Sequence, residues 1–256
     1  MHRTHRPVLL LLCAAALLTA CDKNAVQDIA APLDQGQALI RFFNFGVGAP
    51  GVNFYANDMK VTAIGSATGQ EAVTGVTYGG VGAGGFYTTV APGQYTLTGR
   101  IAATIDKDLP ISNLPAALAA GKAYSFYQSG IYNTAGKTVE SFIVEDPIPA
   151  TFDYSVAHVR FVHAISNADA MTLYLTPRTE GASAIAVGAV VPYKSAGAFT
   201  PVPVGAYDLA TRYTGATTNA ITRVNLSFAA GRVYTITARG NITVASTVLL
   251  DNTANR

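Results

Sequence analysis

Chemistry in this sequence would have to start from very few residues. His158 and His163 stand in Ala157-His158-Val159-Arg160-Phe161-Val162-His163, an alternating run that predicts a β-strand. Positions five apart on a strand point to opposite faces, so the pair cannot share a metal by local geometry. His163 continues the face of Val159 and Phe161, which predicts a hydrogen-bonded rim or core residue. The other two of the four histidines, His2 and His5, precede an apolar run and leave with it. Two histidines without a thiol leave only a carboxylate-rich donor set for zinc, so no metal is expected.

Nucleophile motifs are absent: the sequence holds no G-x-S-x-G, S-x-x-K or H-E-x-x-H. A Ser-His-carboxylate triad assembled from distant segments would have to use His158 or His163, which keeps a hydrolase as an alternative reading. Gly46-Val47-Gly48-Ala49-Pro50-Gly51 and Gly80-Val81-Gly82-Ala83-Gly84-Gly85 both match the dinucleotide pattern G-x-G-x-x-G. That motif works only at a helix N-terminus, where backbone N–H groups receive the pyrophosphate. Both matches lead into β-prone runs, Val52–Tyr55 and Phe86–Val90, so they predict inter-strand loops and no cofactor. The acid pairs Asp106/Asp108 and Glu145/Asp146 read as solvated turns. The chain is expected not to be an enzyme.

Address is more legible than chemistry. Arg3 and Arg6 precede the apolar run Val8–Ala20, which is too short to span a bilayer and has the pattern of a secretory signal. Its end, Leu18-Thr19-Ala20-Cys21, resembles the lipobox of bacterial lipoproteins. The resemblance implies cleavage after Ala20 and a diacylglycerol on the Cys21 thiol. Two or three acyl chains hold a protein stably on a membrane where one is marginal. The expected place is extracytoplasmic, on the outer membrane or cell surface or on the periplasmic face of the inner membrane. Cys13 is lost with residues 1–20, so no disulfide framework is available within one chain. Loss of Arg3 and Arg6 leaves 15 basic against 15 acidic side chains, and nucleic acid is not an expected partner.

Residues 21–37 are polar after the cysteine and read as a flexible tether. A duplication follows. Arg41-Phe42 matches Arg160-Phe161, Tyr55 matches Tyr174, Tyr78 matches Tyr193, and Phe86 matches Phe199. Gly93-Gln94-Tyr95 matches Gly205-Ala206-Tyr207, Gly121-Lys122-Ala123-Tyr124 matches Gly231-Arg232-Val233-Tyr234, and Gly130 matches Gly240. The halves are 38–146 and 156–256, joined by a linker 147–155 with Pro147 and Pro149. Short alternating runs at 8–12-residue spacing predict an all-β chain of two tandem antiparallel β-sandwich domains, immunoglobulin-like or transthyretin-like. In the second half the predicted strands are 157–163, 171–176, 184–191, 198–201, 206–213, 222–228, 233–238 and 243–250. One helical stretch is expected, Leu114–Ala120, because it is Ala- and Leu-rich and closes on Gly121.

The Val159-Arg160-Phe161-Val162-His163-Ala164 opening, the mid-unit Tyr, the Gly-x-Tyr turn and the Gly-Lys/Arg-x-Tyr strand resemble the "domain of unknown function 4397" family. The resemblance implies secreted or lipidated bacterial β domains, often in tandem, with no assigned activity. The first copy departs from it by carrying Asn44 in place of His. Tyrosine is the remaining feature, with 13 Tyr and no Trp, many at matched places. A Tyr beside a turn glycine predicts a tied strand corner, while Tyr55, Tyr174 and His163 are the candidate ligand-facing residues. The expected function is a non-catalytic envelope adhesion, scaffold or interaction module. Glycan or peptide binding is the alternative.

Overall fold

The computed structural model describes residues 36–62, 74–148 and 153–255. Cys21, the leader and nearly all of the tether lie outside the described residues. The first domain is built from β1 (Ala38–Val47), β2 (Val52–Ala56), β3 (Met59–Lys60), β4 (Gly80–Val81), β5 (Thr88–Val90), β6 (Gly93–Ile101), β7 (Pro110–Leu118), β8 (Ala123–Asn133) and β9 (Thr138–Glu145). The second is built from β10 (Ala157–Ala164), β11 (Met171–Pro177), β12 (Ile185–Val191), β13 (Ser195–Ala196), β14 (Thr200–Val202), β15 (Gly205–Tyr213), β16 (Ile221–Phe228), β17 (Val233–Arg239) and β18 (Leu249–Ala254).

The two domains have the same topology, strand for strand. In the first, a sheet ordered β4-β1-β8-β9, with β5 also on β1, faces a sheet ordered β3-β2-β6-β7. In the second, β13-β10-β17-β18, with β14 on β10, faces β12-β11-β15-β16. Each is a β-sandwich, antiparallel except at one place: β1 lies parallel to β8, and β10 lies parallel to β17. Alternation explains the sandwich. Ile40 and Phe42 of β1 pack with Phe54 and Phe126 inside the first, and Val159 and Phe161 of β10 pack with Leu173 and Ile236 inside the second. Phe42, Phe54 and Phe126 meet at ring distances of 5.2–5.7 Å.

The other faces of β1 and β10 are buried too. Phe43, Phe45, Tyr127 and Phe142 of the first domain close on Val162 and Ala164 of the second, in a third apolar cluster. The sheets containing β1 and β10 therefore pack against each other, giving four layers. This accounts for the almost continuous burial along β1 and β10, as expected of strands covered on both sides.

Three expectations change. Residues 114–120 are not helical: β7 covers Pro110–Leu118, with Ala116 and Leu118 buried and Pro115 and Ala117 exposed. The two-residue alternation and pairing to β6 override the helix propensity of alanine. The strand expected from residue 243 starts at Leu249, because Asn241 and Thr247 side chains bond nearby backbone and hold a short turn at Ala245–Thr247. Finally, Thr88 sits opposite Ile40 and Thr200 opposite Val159, so the partner of Phe199 is Tyr87. Phe86 points to solvent, 78% exposed.

Candidate functional site

The polar residues that could do chemistry converge where the two domains meet. Arg41 on β1 and Arg160 on β10 occupy matched positions, opposite Ser125 of β8 and Thr235 of β17 respectively. Both side chains are 1% exposed. Between them lies Asp146, the first residue beyond β9, 2% exposed. The sequence reading of Glu145/Asp146 as a solvated turn is corrected here. Glu145 is solvated and pairs with Lys122, but Asp146 is drawn inward by its own backbone N–H, which donates to Ala123 O at 2.7 Å.

Around Asp146 the bonding is dense. Arg160 Nη2 donates to Oδ1 in a short contact. Ser125 Oγ donates to Oδ2 at 2.7 Å, and Tyr87 Oη donates to the same oxygen at 2.6 Å. Arg41 Nη2 lies 3.8 Å from that oxygen and donates to Tyr87 Oη at 2.9 Å. The aromatic neighbours are matched as well: the Arg41 guanidinium lies 4.2 Å over the Tyr87 ring, and that of Arg160 lies 4.8 Å over Phe199. Burial, and then the charge of Asp146, push the Tyr87 phenol well above its ordinary value, so it stays a donor.

A second pair of matched residues ties the periphery of the interface. Tyr78 Oη donates to Thr247 O at 2.7 Å, with Arg239 over its ring, and Tyr193 Oη bonds Ser129 Oγ at 2.9 Å. Burial pushes the Tyr193 phenol up to about 12. Each tyrosine thus reaches from its own domain into the other. Gly130 permits this. Its φ is +83°, and a Cβ there would come within 3.2 Å of Tyr193 Oη.

The predicted site residues do not come together. His163 is fully buried in the second sandwich, where Nδ1 accepts Ile165 N–H at 3.2 Å and Nε2 bonds Asp169 O at 3.0 Å. A backbone N–H on Nδ1 requires the proton on Nε2, which donates to the carbonyl. Burial lowers the pKa of the ring, keeping it neutral. Asn44 does the same work at the matched position. Its Oδ1 accepts Gly46 N–H at 3.3 Å and its Nδ2 donates to Val76 O at 2.8 Å. His163 is a loop fastener, and His158 lies half-buried on the opposite face of β10.

Tyr55 and Tyr174 lie on the outermost sheets, one per domain, each with an arginine stacked on its ring: Arg100 at 4.2 Å and Arg212 at 4.6 Å. Tyr55 is nearly covered, since Lys60 also lies over its ring and its hydroxyl donates to Asp108 at 3.2 Å. The turn tyrosines tie corners, as expected. Tyr95 Oη donates to Ala91 O and Tyr207 Oη to Pro203 O, both at 2.7 Å. Tyr124 and Tyr234 accept the N–H of Ala119 and Ala229, both at 3.2 Å.

The glycine-rich stretches join strands and start no α-helix; the second forms a short 3-10 turn at Gly82–Gly85. Among the described residues no group of three His, Cys, Asp or Glu is placed to hold a metal ion, and no helix is long and apolar enough to cross a membrane. Sequence reading missed the interface cluster, though Arg41 and Arg160 were visible as matched charges at the centre of apolar strands.

Residues 157–256 match the model of the family described as "Domain of unknown function (DUF4397)". This is the family that the opening of the second half resembles, and the match covers the second domain. Comparison with curated proteins finds no match.

Proposed function

We propose that this protein is a non-catalytic, lipid-anchored interaction module of the bacterial cell envelope, held to a membrane through Cys21 and acting as an adhesion or scaffold element. One observation carries the reading: two sandwiches of the same topology are fixed back to back through their arginine-bearing sheets. The chain therefore presents two related outer sheets on opposite sides of one body, each with a tyrosine–arginine stack. The groups best suited to chemistry, His163, Asp146 and both interface arginines, are spent on internal bonds. A body of this kind suits bridging or display.

The test is crosslinking and capture of the full-length, lipidated protein from its own envelope. Cys21→Ala serves as the anchor control, and Tyr55→Ala/Arg100→Ala and Tyr174→Ala/Arg212→Ala alter the two outer faces. A protein or glycan recovered with wild type and lost with one face pair supports the reading. Recovery of lipid alone, or a partner indifferent to both faces, overturns it. Retention of Cys21→Ala in the membrane fraction overturns the anchor.

A further inference from the structure

We infer that the domain interface is a quasi-twofold clasp with two equivalent carboxylate seats, positions 146 and 255, and that the second domain's inner face accepts only a partner face bringing a carboxylate to that clasp. This stands apart from whatever the outer faces bind.

The equivalence is read from the strand ladders. Tyr124 pairs with Glu145, and its match Tyr234 pairs with Ala254, so Asp146 and Asn255 are both the first residue beyond their strands. Their backbones are held alike: Asp146 N–H donates to Ala123 O and Asn255 N–H to Val233 O, both at 2.7 Å. Each arginine then crosses to the carbonyl just before the other domain's seat. Arg160 Nη1 donates to Glu145 O at 2.8 Å, and Arg41 Nη1 donates to Ala254 O at 2.9 Å. The cross-strand hydroxyls repeat the pattern, with Ser125 donating to Asp146 and Thr235 donating to Asn255 Oδ1 at 2.7 Å.

The symmetry fails at one atom type. Seat 146 holds a carboxylate, which takes Arg160; seat 255 holds an amide, which cannot neutralise Arg41. Asp146 itself, with Oδ2 3.8 Å from Arg41 Nη2, and Tyr87 make up part of the difference. The Tyr87 hydroxyl accepts from Arg41 Nη2 and from Asn255 Nδ2, the latter at 3.0 Å, and donates to Asp146. Phe199, at the matched place in the second domain, has no hydroxyl to do this. The buried cluster thus holds two guanidiniums and one carboxylate, and Arg41 Nε has no partner. Uncompensated buried charge is costly. Among the described residues of the clasp, two copies of the second domain's face would bring together two arginines and two amides with no carboxylate. That face is fitted to a carboxylate-bearing neighbour, which the first domain supplies in the same chain.

The test moves the carboxylate. In the full chain, Asp146→Asn removes it, and thermal unfolding should shift down by roughly 10 °C. Adding Asn255→Asp to that variant should recover at least half of the loss, because Arg41 then takes the part of Arg160. Sensitivity should move with the charge. Arg160→Met should cost more than Arg41→Met in wild type, and the order should reverse in the Asp146→Asn/Asn255→Asp chain. A double variant no more stable than Asp146→Asn, or an unreversed order, overturns the inference. If Asp146→Asn alone does not fold, a folded double variant with the reversed order supports it, and an unfolded one overturns it.

Discussion

Asn44 and His163 occupy the same place in their two domains, and both fasten backbone at the end of the first strand of a sandwich to a later loop. Each accepts the N–H two residues ahead and bonds a carbonyl of a following loop, Val76 O for Asn44 and Asp169 O for His163. The histidine is therefore replaceable by what its twin already uses. His163→Asn should keep most of the stability, whereas His163→Ala should cost about 1–3 kcal/mol, chiefly by leaving the buried Ile165 N–H unpaired. Urea unfolding of the two variants checks this.

The same residue sets an acid limit. Burial holds the His163 pKa below its ordinary value. Between the folded value and the ordinary one, about 6.5, the unfolded chain binds a proton that the folded chain refuses. Its contribution is thus fully present above about pH 6.5 and is lost progressively as pH falls below it. The slope of stability against pH in that range should flatten in His163→Asn. Equal slopes would refute the assignment.

Tyr87 is the hinge of the interface chemistry. Tyr87→Phe, which copies the residue at position 199, removes one acceptor and one donor that join Arg41, Asn255 and Asp146. It should cost about 1–3 kcal/mol in denaturant unfolding, whereas Phe199→Tyr should recover little, because Asp146 already has Arg160. A neutral Tyr87→Phe would show that the relay is dispensable.

The corner tyrosines give a graded pair. Tyr207 is buried and Tyr95 is partly exposed, yet both make the same bond to the carbonyl four residues back. Tyr207→Phe should lose about 1 kcal/mol and Tyr95→Phe less, since water can replace the exposed bond. Thermal unfolding distinguishes them.

Gly240 follows β17 as Gly130 lies in β8, with φ +125°, and an added Cβ would meet Thr247 O at 2.6 Å. Gly240→Ala should cost more than about 1 kcal/mol, with the effect felt at the Tyr78–Thr247 bond. Loss of protection from hydrogen exchange around Thr247 is the confirming signal.

Much of the architecture was legible because alternation is local. The strand positions of the second domain follow from apolar residues at every other place, and the match of Arg41-Phe42 with Arg160-Phe161 marks the duplication. The Ala-rich stretch misled because propensity is local too, while pairing of β7 with β6 is not. The clasp was illegible for a different reason. Asp146 sits beside Pro147 at a domain boundary, where sequence predicts solvent. Only the packing of two sheets from opposite halves of the chain buries it. Arg41 and Ala254, its partner across the interface, are separated by almost the whole described chain.

The parallel pairing of β1 with β8 has a mechanical consequence. β1 begins at Ala38, near the N-terminal edge of the described residues, and runs in the centre of its sheet, bonded to β8 along nearly its whole length. A force applied at Ala38 along the axis of that strand, with the rest of the domain held, meets β8 alongside it. The ladder bonds are then loaded together in shear instead of being peeled one at a time. Such a force would be resisted by the whole β1–β8 seam at once.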